Sequence, residues 1–338
     1  MNRNFLWNAL PTALRPAIEQ EENGVVSLYS YTTILRMLAL DNPAFSQTLS
    51  QNGIALEEPA GYEQLVSANY CWLQKGELHP TATTLAGLKA LGVEPEEVDF
   101  REGLTVARAI NAAVNAGTEG RIPELRQEEE LAVDLQEMIA FYLNTLCYTG
   151  SWQTAFDPEK TKNSVFQTPR GVVTAEFMVS KERFNVVMNY EDLCSATVGN
   201  CMQDGQTLFC AMMPHPHVSM LELIKRLAEK GISSWGDQEF ELHLPKFALS
   251  GVLSLDQLFP SLVPKSMPGL GWGGAPVEIM QKASLNIDEN GVEAAAATAA
   301  QMARMVPQKV AFDRPFLALL LNGQDEPIFA AVVNNPVG

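Results

Sequence analysis

Glu289-Asn290-Gly291-Val292-Glu293-Ala294-Ala295-Ala296-Ala297-Thr298 lies about 40 residues from the C-terminus, and its reading decides the fold. A glycine is followed by a branched apolar residue, a glutamate and four alanines. Residues 292–305, VEAAAATAAQMARM, are rich in strong helix formers, so local propensity favours a helix. No apolar stripe at helical spacing accompanies that propensity. Read as a strand, with side chains alternating between faces, the stretch makes more sense. One face carries Val292, Ala294, Ala296, Thr298, Ala300 and Met302, none of them charged. The other carries Glu293, Ala295, Ala297, Ala299 and Gln301. A strand with such a face can enter the middle of an existing sheet without burying charge or overfilling the space.

Working outward, the chain has 338 residues, 46% of them hydrophobic, enough for a substantial core. The spacing shows no internal repeat or linker, so one intimately mixed α+β domain, residues 1–338, is expected. The net charge of −17 opposes binding to nucleic acid or to an anionic membrane, and no basic cluster offsets it. No apolar run is long enough for a transmembrane helix. The first twenty residues, with Asn2, Arg3, Trp7 and Pro11, do not resemble a secretory signal. The five cysteines, Cys71, Cys147, Cys194, Cys201 and Cys210, are an odd number without a CxxC pair. A cytoplasmic location with reduced thiols is the expectation, and a mature secreted form stays open.

Helices are expected at Phe5–Ile18, after a short strand within Val25–Leu40, at Thr81–Leu91, at Leu104–Ala116 and near Met220–Lys230. Leu65–Gln74 reads as a buried strand, and a strand-like piece begins at Val98-Asp99-Phe100. Met138–Tyr148, MIAFYLNTLCY, reads as a central strand buried on both faces. Short strands and turns fill Phe166–Leu244.

Candidate enzyme motifs are weak. There is no GxSxG elbow. Gly269-Leu270-Gly271-Trp272-Gly273-Gly274 fits GxGxxG, but prolines at 264, 268 and 276 make it a turn. His215-Pro216-His217 offers two imidazoles without a third ligand, so no metal and no cofactor are expected. The acidic runs Glu19–Glu22 and Glu128–Glu130 read as solvated faces.

Further stretches join the opening one. They are Asn144–Trp152 (NTLCYTGSW), followed by Phe156-Asp157-Pro158 and Thr161; Ile110-Asn111 with Thr118-Glu119-Gly120-Arg121-Ile122; and Leu244-Pro245-Lys246-Phe247. Met280-Gln281-Lys282-Ala283, Asp313-Arg314-Pro315-Phe316-Leu317 and the closing Ile328–Pro336 complete the set. Together, and in this order, they resemble the serpin family. The resemblance implies three β-sheets with eight to nine helices and an exposed reactive loop over about 289–310. Its hinge would be Glu289, Gly291, Val292, Glu293, Ala294, Ala295, Ala296, Ala297 and Thr298. The sheet-opening region would comprise Ser27, Ser30, Asn144, Trp152, Lys246 and Gln281, with Lys246 and Glu289 as a charged pair at the top. Gln281 stands where the family usually has histidine, Leu28 where it has proline, Ala113 where it has tryptophan and Ala331 where it has glycine. Between Asp41 and Ala68 the chain is short by roughly one helix, the one that binds heparin in some members, so heparin is not an expected partner.

The implied activity is suicide inhibition of a serine protease, and the chain itself would not be an enzyme. Counting back from Pro315 places the scissile bond at Arg304–Met305, for trypsin-like targets. Counting forward from Gly291 places it at Met305–Val306, for chymotrypsin-, elastase- or subtilisin-like ones. The loop sequence is most similar to that of the antiplasmin branch, which favours Arg304–Met305. A carrier or chaperone role without inhibition is the alternative. The native form would be a monomer prone to loop–sheet polymers, with the target protease as covalent partner.

Overall fold

The computed structural model describes residues 5–54, 65–149, 151–273, 277–290 and 308–338. The N-terminal part comprises α1 (Phe5–Glu19), β1 (Gly24–Val26), α2 (Leu28–Ala39), α3 (Pro43–Gln51), β2 (Leu65–Gln74), α4 (Ala82–Ala90) and β3 (Glu96–Val98). There follow α5 (Gly103–Gly117), α6 (Glu128–Leu135), β4 (Ala140–Thr149), β5 (Lys162–Thr168), β6 (Gly171–Val187), β7 (Cys194–Cys201) and β8 (Leu208–Pro214). The chain closes with α7 (Met220–Lys230), β9 (Trp235–Pro245), β10 (Phe247–Ser254), α8 (Leu255–Leu258), β11 (Val277–Ile287), β12 (Lys309–Ala311), β13 (Phe316–Leu321) and β14 (Pro327–Val333).

Local chemistry accounts for many of these boundaries. Ser219 caps α7 by accepting from the Glu222 N–H, and the helix buries Leu223, Ile224, Leu227 and Ala228 along one stripe. Gly231, at φ 61°, ends it. In α5 the buried stripe is Val106, Ala107, Ile110, Asn111 and Val114. Gly117 ends α5 where the Tyr70 and Ala68 side chains of β2 leave no room for a β-carbon. The turn after α5 is held by side chains from the quoted motifs. Asn111 accepts from the Leu125 N–H and donates to the Arg126 carbonyl, and Thr118 accepts from the Ile122 N–H. Gly269–Gly273 forms a turn, with Gly271 left-handed at φ 72°.

Five strands make one sheet in the order β10-β11-β4-β2-β3. Its central β4 is buried along nine of its ten residues, as its apolar sequence requires, and the polar Asn144 and Thr145 in its middle bond to β2. β4 pairs antiparallel with β2 but parallel with β11. The other strands form one hydrogen-bonded sheet, β1-β14-β13-β8-β7-β6-β9-β12, with β5 on β6. β6 and β7 meet in it at a single pair, Asn185 and Gly199. That narrow join divides it into a five-stranded and a four-stranded part, giving three sheet bodies with eight α-helices among the described residues. Helices α1 and α2 pack their apolar faces into a core with Tyr142, Ile279, Leu319 and Val332.

Three expectations need correcting. Leu65–Gln74 is a strand, but only its last four residues are fully buried, because its first half runs to the rim. β6 spans 17 residues, longer than the short strands expected there, because it serves β5 and β9 in turn. The loop expected to reach Val310 ends earlier, since Lys309–Ala311 pair with Glu241–His243 of β9.

Candidate functional site

The candidate site is the seam between β4 and β11. Ten consecutive pairs join the strands, from Val277 opposite Ala140 to Asn286 opposite Thr149. Glu289 and Asn290 continue from the top of β11, and Gln308 leads into β12 in the other sheet, so residues 291–307 join the two sheets. Gly291, Val292, Glu293, Ala294, Ala295, Ala296, Ala297, Thr298, Arg304, Met305 and Val306 lie outside the described residues, as do 55–64 of the Asp41–Ala68 interval in which one helix fewer was expected.

The chain just ahead of Gly291 is pinned at five points. Trp152 donates its backbone N–H to the Asn290 carbonyl at 2.8 Å and its indole Nε1–H to the Asp288 carbonyl at 2.6 Å. Phe156 N–H bonds the Glu289 carbonyl at 3.1 Å. The Thr161 hydroxyl donates to Glu289 Oε1 at 2.6 Å, and Lys246 Nζ sits 3.1 Å from Oε2. Trp152 is 1% exposed and lies edge-on to Phe156 and Phe209. Its main chain also bridges to Met202, just beyond β7, so one tryptophan ties both sheets to the start of the loop. Burial pushes the Glu289 carboxyl up, but the bonds from Thr161, its own backbone and Lys246 outweigh it, and the net shift is downward. Burial likewise pulls Lys246 down, and Glu289 with Glu176 more than restores it. The two partners therefore agree on a charged pair.

Halfway down the seam, Gln281 stands opposite Asn144. Gln281 turns its amide away from the seam, accepting from the Ser27 N–H at 2.9 Å and donating to the Ser27 carbonyl at 2.5 Å. A primary amide presents donor and acceptor side by side, so it pairs with Ser27 as a neighbouring strand residue would. The Ser27 hydroxyl donates to the Ile328 carbonyl at 2.7 Å. Asn144 donates to Asn69 Oδ1 at 2.7 Å and to Ser67 Oγ at 3.2 Å, both on β2. Each side chain is thus anchored in its own half. Ser30 lies in the first turn of α2, and its side chain is outside those described. Sequence reading did not single out Asp288, Ser67 or Asn69, since they act through distant contacts without a local signature.

All five cysteines are free thiols, four of them buried, and burial pushes Cys71 and Cys194 up to about 12 and Cys147 to about 11. Such thiols are poor nucleophiles. The imidazoles of His215 and His217 stack at 5.4 Å, and the His215 Nε2 lies 3.0 Å from the Glu191 carbonyl.

The family model described as "Serpin (serine protease inhibitor)" matches residues 30–336. The chain belongs to the serpin family. Relatives include the plasma serine protease inhibitor of Bos taurus, 26% identical over 70% of this chain and 61% of that protein. Alpha-1-antitrypsin 1-5 of Mus musculus is 27% identical over 71% and 60% respectively. These alignments span about 60% of the length of the curated relatives. Native protease nexin-1, solved with heparin, shares the fold at a TM-score of 0.82, with 98% of each chain covered and 17% identity. This serpin thus carries the family's fold, and the family and its Bos taurus relative are both described as serine protease inhibitors.

Proposed function

We propose that this serpin is a mechanism-based inhibitor of serine proteases, with 291–307 as the bait and the β4–β11 seam as the place where the cut segment is taken up. The observation that carries the reading is the parallel pairing of the two seam strands. A segment that turns back from the top of β11 runs antiparallel to β11, and so to β4 as well. Entering between them, it replaces one parallel ladder with two antiparallel ones, the slightly stronger pairing. The uncharged face of Val292, Ala294, Ala296 and Thr298 supports the same reading.

In the reaction the protease serine Oγ attacks the carbonyl carbon of Arg304 and gives its proton to the protease histidine. The Arg304–Met305 C–N bond breaks, the Met305 amine leaves with that proton, and Arg304 remains as an ester on the protease. Uptake of the freed segment then drags the protease and distorts its site before water cleaves the ester. Serpin loop insertion is itself a standing example of strain released on cleavage. Before that the native form is held kinetically. Arg304 suits a trypsin-like specificity pocket. The net charge argues against nucleic acid and polyanions as partners, and the five free thiols support a reducing compartment.

The test mixes the chain with trypsin, and separately with chymotrypsin, at near-equal molar ratio. A band that survives denaturant at the summed mass, with cleavage after Arg304, is expected for trypsin. The same band only with chymotrypsin, cut after Met305, would move the target class. Clean cleavage without a stable complex for either protease would overturn trypsin and chymotrypsin as target classes and favour a different target or a non-inhibitory carrier or chaperone role.

A further inference from the structure

The base of the seam contains a cavity of about 880 Å³, bounded by α6 on one side and by β10 and β11 on the other. Glu278, the second residue of β11, lines it and stands in register with Phe141 of β4. The side chain is partly buried, and among the described residues no hydrogen bond or ion pair is found for its carboxylate. The charged groups around it come from several elements. Asp134 projects from α6, Glu137 follows α6, Arg126 precedes α6, and Asp256 lies in α8. The residues of β10 at the cavity, Val252 and Ser254, are neutral.

The cation in this group is already engaged, because Arg126 Nη1 binds Asp134 Oδ2 at 2.7 Å and its Nη2 lies 4.0 Å from Glu130. Asp256 is held as an acceptor by the Ser254 hydroxyl and the Ile279 N–H. Asp134 projects from α6, which lies over the base of the seam, and Glu278 from β11. α6 packs with α5 against Phe141 and Leu143 of β4 and against Met280 of β11, so their cluster spans the two seam strands. β11 is bound to β10 over eight pairs and touches α8. Opening the seam draws β11 away from β4, so it breaks this shared cluster over the cavity and lets water reach Glu278.

We propose that Glu278 makes opening of the β4–β11 seam pH-dependent, the neutral acid keeping its base closed and the carboxylate loosening it. This rests on the reading of the seam as the place of uptake. Burial first, then the negative charges of Asp256 and Asp134, push the Glu278 carboxyl up to about 7 against the pull of Arg126. A carboxyl raised in the folded chain contributes fully below its ordinary 4.5, and the contribution is lost as pH rises through about 7. The seam therefore opens more readily on the alkaline side of neutrality.

The experiment holds the full chain and its Glu278→Gln variant at one sub-denaturing temperature, at about pH 6 and about pH 8, and follows loss of native monomer on native gels. For one carboxyl titrating near 7, linkage caps the acceleration between those conditions at about tenfold, and we expect at least about threefold for the parent chain. Glu278→Gln should convert at the slow rate in both buffers, and Asp134→Asn should keep a reduced slope. Thermal midpoints on the same samples should show Glu278→Gln above the parent at the higher pH and level with it at the lower. A parent rate that does not change with pH, an equal slope in Glu278→Gln, or midpoints that coincide at both pH values would each overturn the inference. No protease enters this readout, so its failure is distinct from failure to form a covalent complex.

Discussion

Replacing Glu289 with alanine should cost the native fold about 2–4 kcal/mol, most of it through Thr161 rather than Lys246. The Thr161 hydroxyl bonds a carboxylate that is only 13% exposed, at 2.6 Å. A charge-assisted bond of that kind contributes about 1.5–3 kcal/mol. Lys246 is closer to solvent, at 30% exposed, so its pairing with Glu289 adds at most about 1 kcal/mol. It also keeps Glu176 at 3.4 Å when Glu289 is removed, so no buried cation is stranded. Glu289→Gln retains an acceptor for Thr161 and should cost only about 1 kcal/mol. Urea unfolding followed by tryptophan fluorescence measures each variant, and double-mutant cycles separate the partners. The Glu289→Ala/Thr161→Val pair should couple by about 1–2 kcal/mol and the Glu289→Ala/Lys246→Met pair by less than about 1. A larger coupling to lysine than to threonine, or an alanine cost below about 0.5 kcal/mol, would refute the reasoning. The pH sign follows from the downward net shift of the carboxyl. Its contribution is complete above the ordinary carboxylate value of 4.5 and falls away as acid takes the pH below that.

Other outcomes follow from the same geometry. Trp152→Ala removes a buried ring from between Phe156 and Phe209 and should cost about 3–5 kcal/mol in the same unfolding assay; a change under about 1 would mean that the ring is dispensable. Gln281→Leu deprives the Ser27 N–H of the amide acceptor and should cost about 2–4 kcal/mol, whereas a near-neutral result would show that water replaces the clasp. Thr298→Arg places a charge on the inward face of the entering segment, so trypsin should yield cleaved chain at the expense of covalent complex; an unchanged stoichiometry of inhibition would count against uptake between β4 and β11. Arg304→Ala should abolish the trypsin complex, and retention of that complex would remove Arg304 from the scissile bond.

Much of this molecule was legible along the chain. The boundaries of α7 coincide with the Met220–Lys230 stripe because a Ser219 cap, a Glu222 in the first turn and a terminal Gly231 are all local signals. The Met138–Tyr148 run foretold a strand covered on both faces, since nothing polar interrupts it except groups that find partners on β2. Less was legible at β6, where 17 residues serve two neighbours in succession, and at Leu65–Gln74, where composition did not reveal which half reaches the rim. Glu278 left no trace in the sequence at all. A lone glutamate between Val277 and Ile279 alternates with apolar residues as a solvent-facing strand residue would, and only the packing of α6 and α8 around it moves its titration.

The sequence by itself determined the order of the longer helices and strands, though not α3, α6 or α8, and it carries a stretch, Val292 to Met302, whose alternate residues are uncharged. Propensity, capping and period are properties of neighbouring residues, so they can be read without the fold. Tertiary structure alone decided that β4 and β11 run parallel, that Gln281 closes on Ser27 and that Thr161 meets Glu289. Those last two contacts join residues 254 and 128 positions apart. Such pairings depend on how the sheets stack and where their edges fall, and no local pattern carries that information.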